Sequence, residues 1–259
     1  MMRKILCLLL LGSLWLGCQS SEPSDFGIEP DYVAYDDEGP MLKKTFCSDA
    51  NCKDPSYEER YTYRADGQLI KVEIFARTAS KIMEMQSYTD YFFDANGLMT
   101  RKIQYSRHGF LPGWVAYNES EFEYQNGVLK IERTYFNRHQ PEEKVFTGAV
   151  EYEYEGGKKT GQKWTDDHNE LSRRVKYGYK NDVVNVETWY DQKDNVIRIF
   201  EHKFSGNRRQ IGEFLPNSTE LLAMIEKTYD KKGRLATQET KVNNPLLCSM
   251  TPGLIKYSY

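Results

Sequence analysis

The feature that most constrains this chain is a repeat. An aromatic-x-aromatic triplet, a short turn rich in Gly or Asn, and a run of alternating polarity recur along most of its length. The pattern reads YTYRADGQL from Tyr61, YFFDANGLM from Tyr91, FEYQNGVL from Phe122, YEYEGG from Tyr152, YGYKNDVV from Tyr177 and YDKKGRL from Tyr229. Gly67, Gly97, Gly127 and Gly157 follow one another at intervals of thirty residues. Asn169, Asp182, Asn195 and Asn207 carry the turn signals onward at intervals of twelve or thirteen, and Gly233 closes the series. Asn-Gly and Asp-Gly supply the positive φ that tight hairpins need. Ala79-Ser80, Gly109 to Gly113 and Asn137 to Pro141 fall between the thirty-residue marks and read as return turns. Strands are therefore expected every twelve to fifteen residues, with turns alternating between two edges.

Within the segments, polarity alternates as it does in half-buried strands. Ile70, Val72 and Ile74 face one way, and Lys71 and Glu73 the other. Phe146, Val150, Tyr152 and Tyr154 share a face, as do Val175, Tyr177 and Tyr179, and Val196, Phe200 and Phe204. The Lys and Glu residues opposite read as a solvated face with cross-strand pairs. A weak 3.6-residue periodicity occurs only around Thr219 to Glu226. The expected fold is all-β, a long antiparallel meander of hairpins with about fourteen strands. A flat sheet of that width would leave an aromatic face wet and two edges open. Curling into a wide barrel or spiral sheet solves both problems and is preferred to a two-sheet sandwich. A transmembrane barrel is a further alternative, but it would need a lipid-facing apolar band with aromatics confined to girdles, whereas Tyr here sits mid-strand.

The Tyr-x-Tyr-Asp-x-x-Gly-x-Leu pattern is best kept at Tyr61 to Leu69, Tyr91 to Leu98 and Tyr229 to Leu235. It resembles the Tyr-Asp (YD) repeats of Rhs-type shells and of their relatives among Bacteroidota lipoproteins, over roughly residues 57 to 259. Several middle copies lack the Asp or the Gly. The resemblance implies a curled antiparallel sheet, which in some such proteins closes into a porin-like soluble barrel, and it implies little about function.

The first residues carry an address. Arg3 and Lys4 precede an apolar run from Ile5 to Leu16 that is too short to span a bilayer comfortably. The run ends at Gly17-Cys18, which resembles the lipobox of bacterial lipoproteins, with Trp15 where Leu is usual. Residues 1–17 are expected to be a signal peptide, and residues 18–31 a lipidated Cys18 with a flexible tether. Residues 32–259 are expected to form a single β domain. The membrane is thus a partner through the lipid on Cys18. Gln19 resembles the signal for the outer membrane, with the domain periplasmic or surface-exposed.

Removing Arg3 and Lys4 from the 35 Lys and Arg leaves 33 basic residues against 38 Asp and Glu. That balance argues against nucleic acid as a partner. In an oxidising compartment Cys47, Cys52 and Cys248 are disulfide candidates with one thiol left over. Cys47 with Cys52, or Cys248 with either, are the open pairings. A closed sheet would make the first and last strands neighbours and bring Cys248 towards Cys47 or Cys52, whereas a local Cys47–Cys52 pair is expected to accompany an open spiral.

Chemistry is sparse. The sequence has no Gly-rich phosphate loop, nucleophile elbow or zinc-helix motif. Glu142-Glu143 and Asp166-Asp167 are adjacent pairs whose members would point to opposite faces of a strand, so neither is expected to act as a glycosidase dyad. Alternating turns would collect His108, His139 and His168 on one rim, beside Arg107, Arg138 and Asp167, as a ligand site or as solvated loop residues. Trp114, Trp164 and Trp189 are candidate contacts for sugar rings or lipid, or else core. No cofactor or resident metal is implied. The expected function is a non-enzymatic cell-envelope lipoprotein, a binding or structural module whose partner is a glycan or an envelope protein. A carrier of an apolar ligand inside the sheet, or a glycan-directed hydrolase, are the alternatives. Whether the interior is filled or open separates them.

Overall fold

The computed structural model describes residues 40–47, 49, 51–107, 113–137 and 144–259. Cys18, the segments 1–17 and 18–31, and the loop residues His108, Arg138, His139, Glu142 and Glu143 lie outside the described residues.

Sixteen strands follow one another: β1 (Lys43–Cys47), β2 (Pro55–Tyr63), β3 (Leu69–Arg77), β4 (Met83–Phe93), β5 (Met99–Arg107), β6 (Trp114–Gln125), β7 (Val128–Asn137) and β8 (Lys144–Glu155), then β9 (Lys158–Thr165), β10 (Leu171–Lys180), β11 (Val183–Asp191), β12 (Val196–Ser205), β13 (Arg208–Phe214), β14 (Leu221–Tyr229), β15 (Leu235–Val242) and β16 (Gly253–Ser258). Each pairs antiparallel with its sequence neighbour, and β1 pairs with β16 from Lys43↔Ser258 to Cys47↔Leu254, so the sheet closes into a barrel. The count exceeds the expected fourteen. The first closing strand, KKTFC, lies before the aromatic-turn repeat, and the last, GLIKYS, runs into an aromatic-x-aromatic triplet, Tyr257 to Tyr259, with no turn after it.

The repeat is the machinery of the turns and of the curl. Asp94, Asp166, Asp191 and Asp230 each open a five-residue turn. In each, one carboxylate oxygen accepts the backbone N–H groups two and four residues on. The fourth residue of these turns has positive φ: Gly97 at 81°, Asn169 at 61°, Asp194 at 62° and Gly233 at 80°. Elsewhere two-residue turns place both residues there, as at Asn126 (53°) and Gly127 (75°). The second aromatic of each triplet, and the single aromatic Tyr229 of the last copy, marks a bulge: the register shifts at Tyr63, Phe93, Tyr124, Tyr154, Tyr179 and Tyr229. A bulge bends its strand and increases local twist, and register shifts in most of the strand pairs curl the sheet until its edges meet.

Two local expectations give way to bulges. The periodicity around Thr219 to Glu226 belongs to β14. A shift opposite Glu213/Phe214 there makes the successive residues Leu222 and Ala223 both fully buried, which imitates a helical apolar run. A shift between Thr134 and Tyr135 sets Phe146 opposite Tyr135 while Gly148 pairs with Thr134, so Phe146 leaves the face of Val150, Tyr152 and Tyr154. Among the described residues there is no helix.

The side of the barrel near the closing strands is filled. Val72 and Ile74 are buried there beside Glu59, which accepts a hydrogen bond from the Tyr61 hydroxyl and lies 3.6 Å from Lys44. Burial first, and the Glu59 carboxylate second, push the phenols of Tyr61 and Tyr57 well above their usual range; burial does the same to Tyr91.

Candidate functional site

The rest of the barrel is open. A cavity of about 1150 Å³ is bounded by residues of β4 to β15 and by Ser249 and Met250 of the loop before β16. Side chains of an eight-stranded barrel can fill its interior, but those of a sixteen-stranded one leave it wet. Charged residues can then face inwards, which corrects the expectation that the charges form only an outer solvated face. Lys102 and Glu132 meet at 3.0 Å on the inner wall, and Tyr152 donates to the same carboxylate at 3.3 Å. His202, buried, lies between Glu187 (Nε2 to Oε1, 3.0 Å) and Arg209, whose Nη2 sits 2.6 Å from Nδ1. Glu132 and Glu187 each thus have a basic side chain beside them.

Trp164 near the end of β9 and Trp189 near the end of β11 both reach the lumen under one rim. Their rings lie 6.2 Å apart, tilted by 33°, and Phe200 of β12 packs 5.2 Å from Trp189. Arg173, on β10 between them, holds its guanidinium carbon 5.1 Å from the Trp164 ring and 4.7 Å from the Trp189 ring. Burial pulls its pKa down. Its register partners are Trp164 and Asp191, but the Asp191 carboxylate is taken up by its own turn.

The other sequence candidates separate from this cluster. Trp114 stands apart, packed 5.2 Å from Tyr88 with Arg107 at 4.8 Å, against the half-buried stack of Tyr88 on Tyr105. His168 is exposed on the turn after β9, its Nδ1 2.8 Å from Asp167. Asp166, Asp167 and His168 bring ligand-type atoms within 4.8 Å of one another, but the Asp166 carboxylate closes the turn as its counterparts do elsewhere. Of the proposed histidine rim, His168 alone lies among the described residues. Arg173, Glu187, His202 and Arg209 were not singled out in the sequence. Parity alone would have found Arg173, two residues before Val175 on the face of Tyr177 and Tyr179.

Cys47 and Cys52 form a disulfide with Cα atoms 4.8 Å apart, and Cys248 is free. Closure therefore coexists with the local pair, contrary to the expected link between closure and Cys248. The reason is the lean of the loop from 243 to 252. Asn243 and Asn244 donate to Leu222 O, Arg198 donates to Leu247 O, and the Ser249 N–H bonds Glu213, which draws Cys248 over β14 to β12 and away from β1.

The barrel is similar to the crystal structure of a porin-like protein from Bacteroides uniformis, at 8% identity over 84% of this chain and 95% of that one, with a TM-score of 0.37. A porin-like protein from Bacteroides vulgatus is similar at 12% identity over 85% of this chain and 98% of that one, TM-score 0.33. A stretch of TcdB2-TccC3 is similar at 12% identity, covering 84% of this chain but 13% of that one, TM-score 0.33. No protein-family model and no curated protein matches the chain.

Proposed function

We propose that this protein is a non-enzymatic, lipid-anchored module of the cell envelope that binds a water-soluble ligand of the glycan class inside its barrel. The observation that carries this reading is the open cavity of about 1150 Å³. Its wall alternates aromatic rings with ion-paired and hydroxyl groups, the combination that sugars use through their C–H faces and hydroxyls. An apolar cargo fits less well, because an acyl chain would have to strip water from Lys102, Glu132, Glu187 and Arg173. The outer face supports a barrel in water: Lys71–Asp90, Arg133–Glu123 and Lys163–Glu153 pair on the side of their strands opposite the lumen, where a membrane barrel needs hydrocarbon. The Cys47–Cys52 bridge supports an oxidising compartment, in line with the export signal ending at Cys18.

The test is binding of the mature domain to immobilised glycans, compared with Gln104→Trp, which places an indole in the lumen. Binding that falls at least about tenfold in a folded Gln104→Trp variant is expected. A wild-type domain that binds no glycan, or a variant that binds as well, overturns the reading. Labelled palmitate should enter the wild type but not Cys18→Ser; equal labelling would remove the lipid anchor from the proposal.

A further inference from the structure

Arg173 differs from the arginines of its own and the following strands. Arg198 is paired with Glu213, Arg174 with Asp194, and Arg209 with His202. Among the described residues Arg173 makes no ion pair and no side-chain hydrogen bond; its neighbours are the two indoles and the backbone ladder. A guanidinium carries five N–H donors in a planar fork that matches an oxyanion. That fork borders the open lumen with no protein acceptor on it, while partial burial against the two indole rings disfavours its charge, so an oxyanion arriving from the lumen meets donors already in place. Trp189 adds a second unfilled donor: its Nε1 is buried without a hydrogen-bond partner.

Resting on the lumenal reading above, we propose that Trp164, Arg173 and Trp189 form a subsite for an anionic sugar. The carboxylate or sulfate of a pyranose bonds the Arg173 fork, and its C–H face lies across the indoles. The geometry favours a sugar over a flat aromatic anion. Parallel rings gripping a planar ligand stand about 7 Å apart, two van der Waals contacts. These rings are 6.2 Å apart and tilted by 33°. They form adjoining panels of a wall, which suits a puckered ring lying across them, and the position under the rim lets a longer chain continue into the cavity.

The matched test uses one sugar backbone with and without charge. Binding of a galacturonate hexamer is compared with that of its fully methyl-esterified form, by calorimetry and by tryptophan fluorescence, at physiological salt. A second arm compares sulfated with plain dextran fragments and tells sulfate from carboxylate as the preferred anion. At least one anionic form should bind about tenfold or more tighter than its neutral partner, as a charge-assisted bond predicts. Arg173→Gln should erase that ratio. Trp189→Phe should weaken both forms. The wild-type ratio decides the question even if a variant fails to fold. Neutral fragments that bind as tightly as anionic ones, or a ratio that survives in Arg173→Gln, would overturn the subsite and leave the lumenal reading standing. Absence of binding by every fragment would overturn both.

Discussion

Glu213 of β13 and Arg198 of β12 meet at 2.9 Å inside the barrel wall, and the Glu213 side chain has no exposed surface. The same carboxylate accepts the Ser249 N–H at 3.0 and 3.1 Å. One buried anion thus ties two strands to the loop that precedes the closing strand. Replacing Glu213 with Ala should cost about 3 kcal/mol, the lower end for breaking a buried pair, because Arg198 keeps a quarter of its side chain in water. Arg198→Ala should cost more, since it leaves the anion buried with one backbone donor. Thermal unfolding ranks the two variants, and hydrogen exchange at Ser249 reports release of the loop. A Glu213→Ala protein with unchanged exchange there would refute the tie.

Gly148 marks a second fixed point. Its φ is 150°, and a Cβ built on it would stand 2.4 Å from the Thr165 carbonyl oxygen. That oxygen belongs to backbone at the end of β9 and has no flexible side chain to yield. Gly148→Ala should therefore destabilise by about 1–3 kcal/mol, the usual cost of forced overpacking. Gly127→Val should lose a similar about 1–2 kcal/mol for a different reason, the left-handed φ of its turn in otherwise open space. Urea unfolding of both variants checks the pair, and a neutral Gly148→Ala would mean that β8 and β9 can part.

The fold was largely legible because its signal is local. A turn that requires positive φ and an Asp that caps it act within five residues, so Asp94, Gly97, Asp230 and Gly233 are readable one turn at a time. Closure is not local. Lys43 and Ser258 are register partners at opposite ends of the domain, and neither strand carries a whole copy of the repeat. The lumenal site was half legible. Trp164 and Trp189 were named, but their meeting depends on β9 and β11 flanking β10, and Trp114 drops out through its strand position. Arg173 was passed over because charge was read as solvent-facing. In a barrel wide enough to hold water, both faces accept charge, so polarity no longer tells inside from outside.

The Cys47–Cys52 bridge closes a loop of separation five, so it constrains little unfolded chain and should contribute about 2 kcal/mol. Non-reducing peptide mapping should recover a Cys47–Cys52 linked peptide and Cys248 as a free thiol. A Cys47→Ser, Cys52→Ser double variant should keep the barrel, because β1 is also held by five register pairs to β16. Any linkage through Cys248 would require the loop from 243 to 252 to leave Leu222 and Glu213, and would contradict the arrangement of that rim.

Alkaline stability should depend on the tyrosines packed beside the closing strands. Burial pushes the phenols of Tyr57, Tyr61 and Tyr91 up, and the Glu59 carboxylate adds to the shift at each. A folded pKa above the unfolded one means that the neutral phenol is favoured in the barrel. The associated stability is then fully present below the unfolded value of about 10 and is lost as pH rises towards the folded values. Spectrophotometric titration of tyrosinate should therefore show early ionisation of exposed phenols, with a group held back until the barrel unfolds. Tyr61→Phe keeps the ring in place and removes the most strongly shifted hydroxyl. It should reduce the loss of thermal stability between neutral and alkaline pH, although Glu59 loses one hydrogen bond at every pH. If all tyrosines ionise together near the usual value while the barrel remains folded, the side beside the closing strands is hydrated and its packing is misassigned.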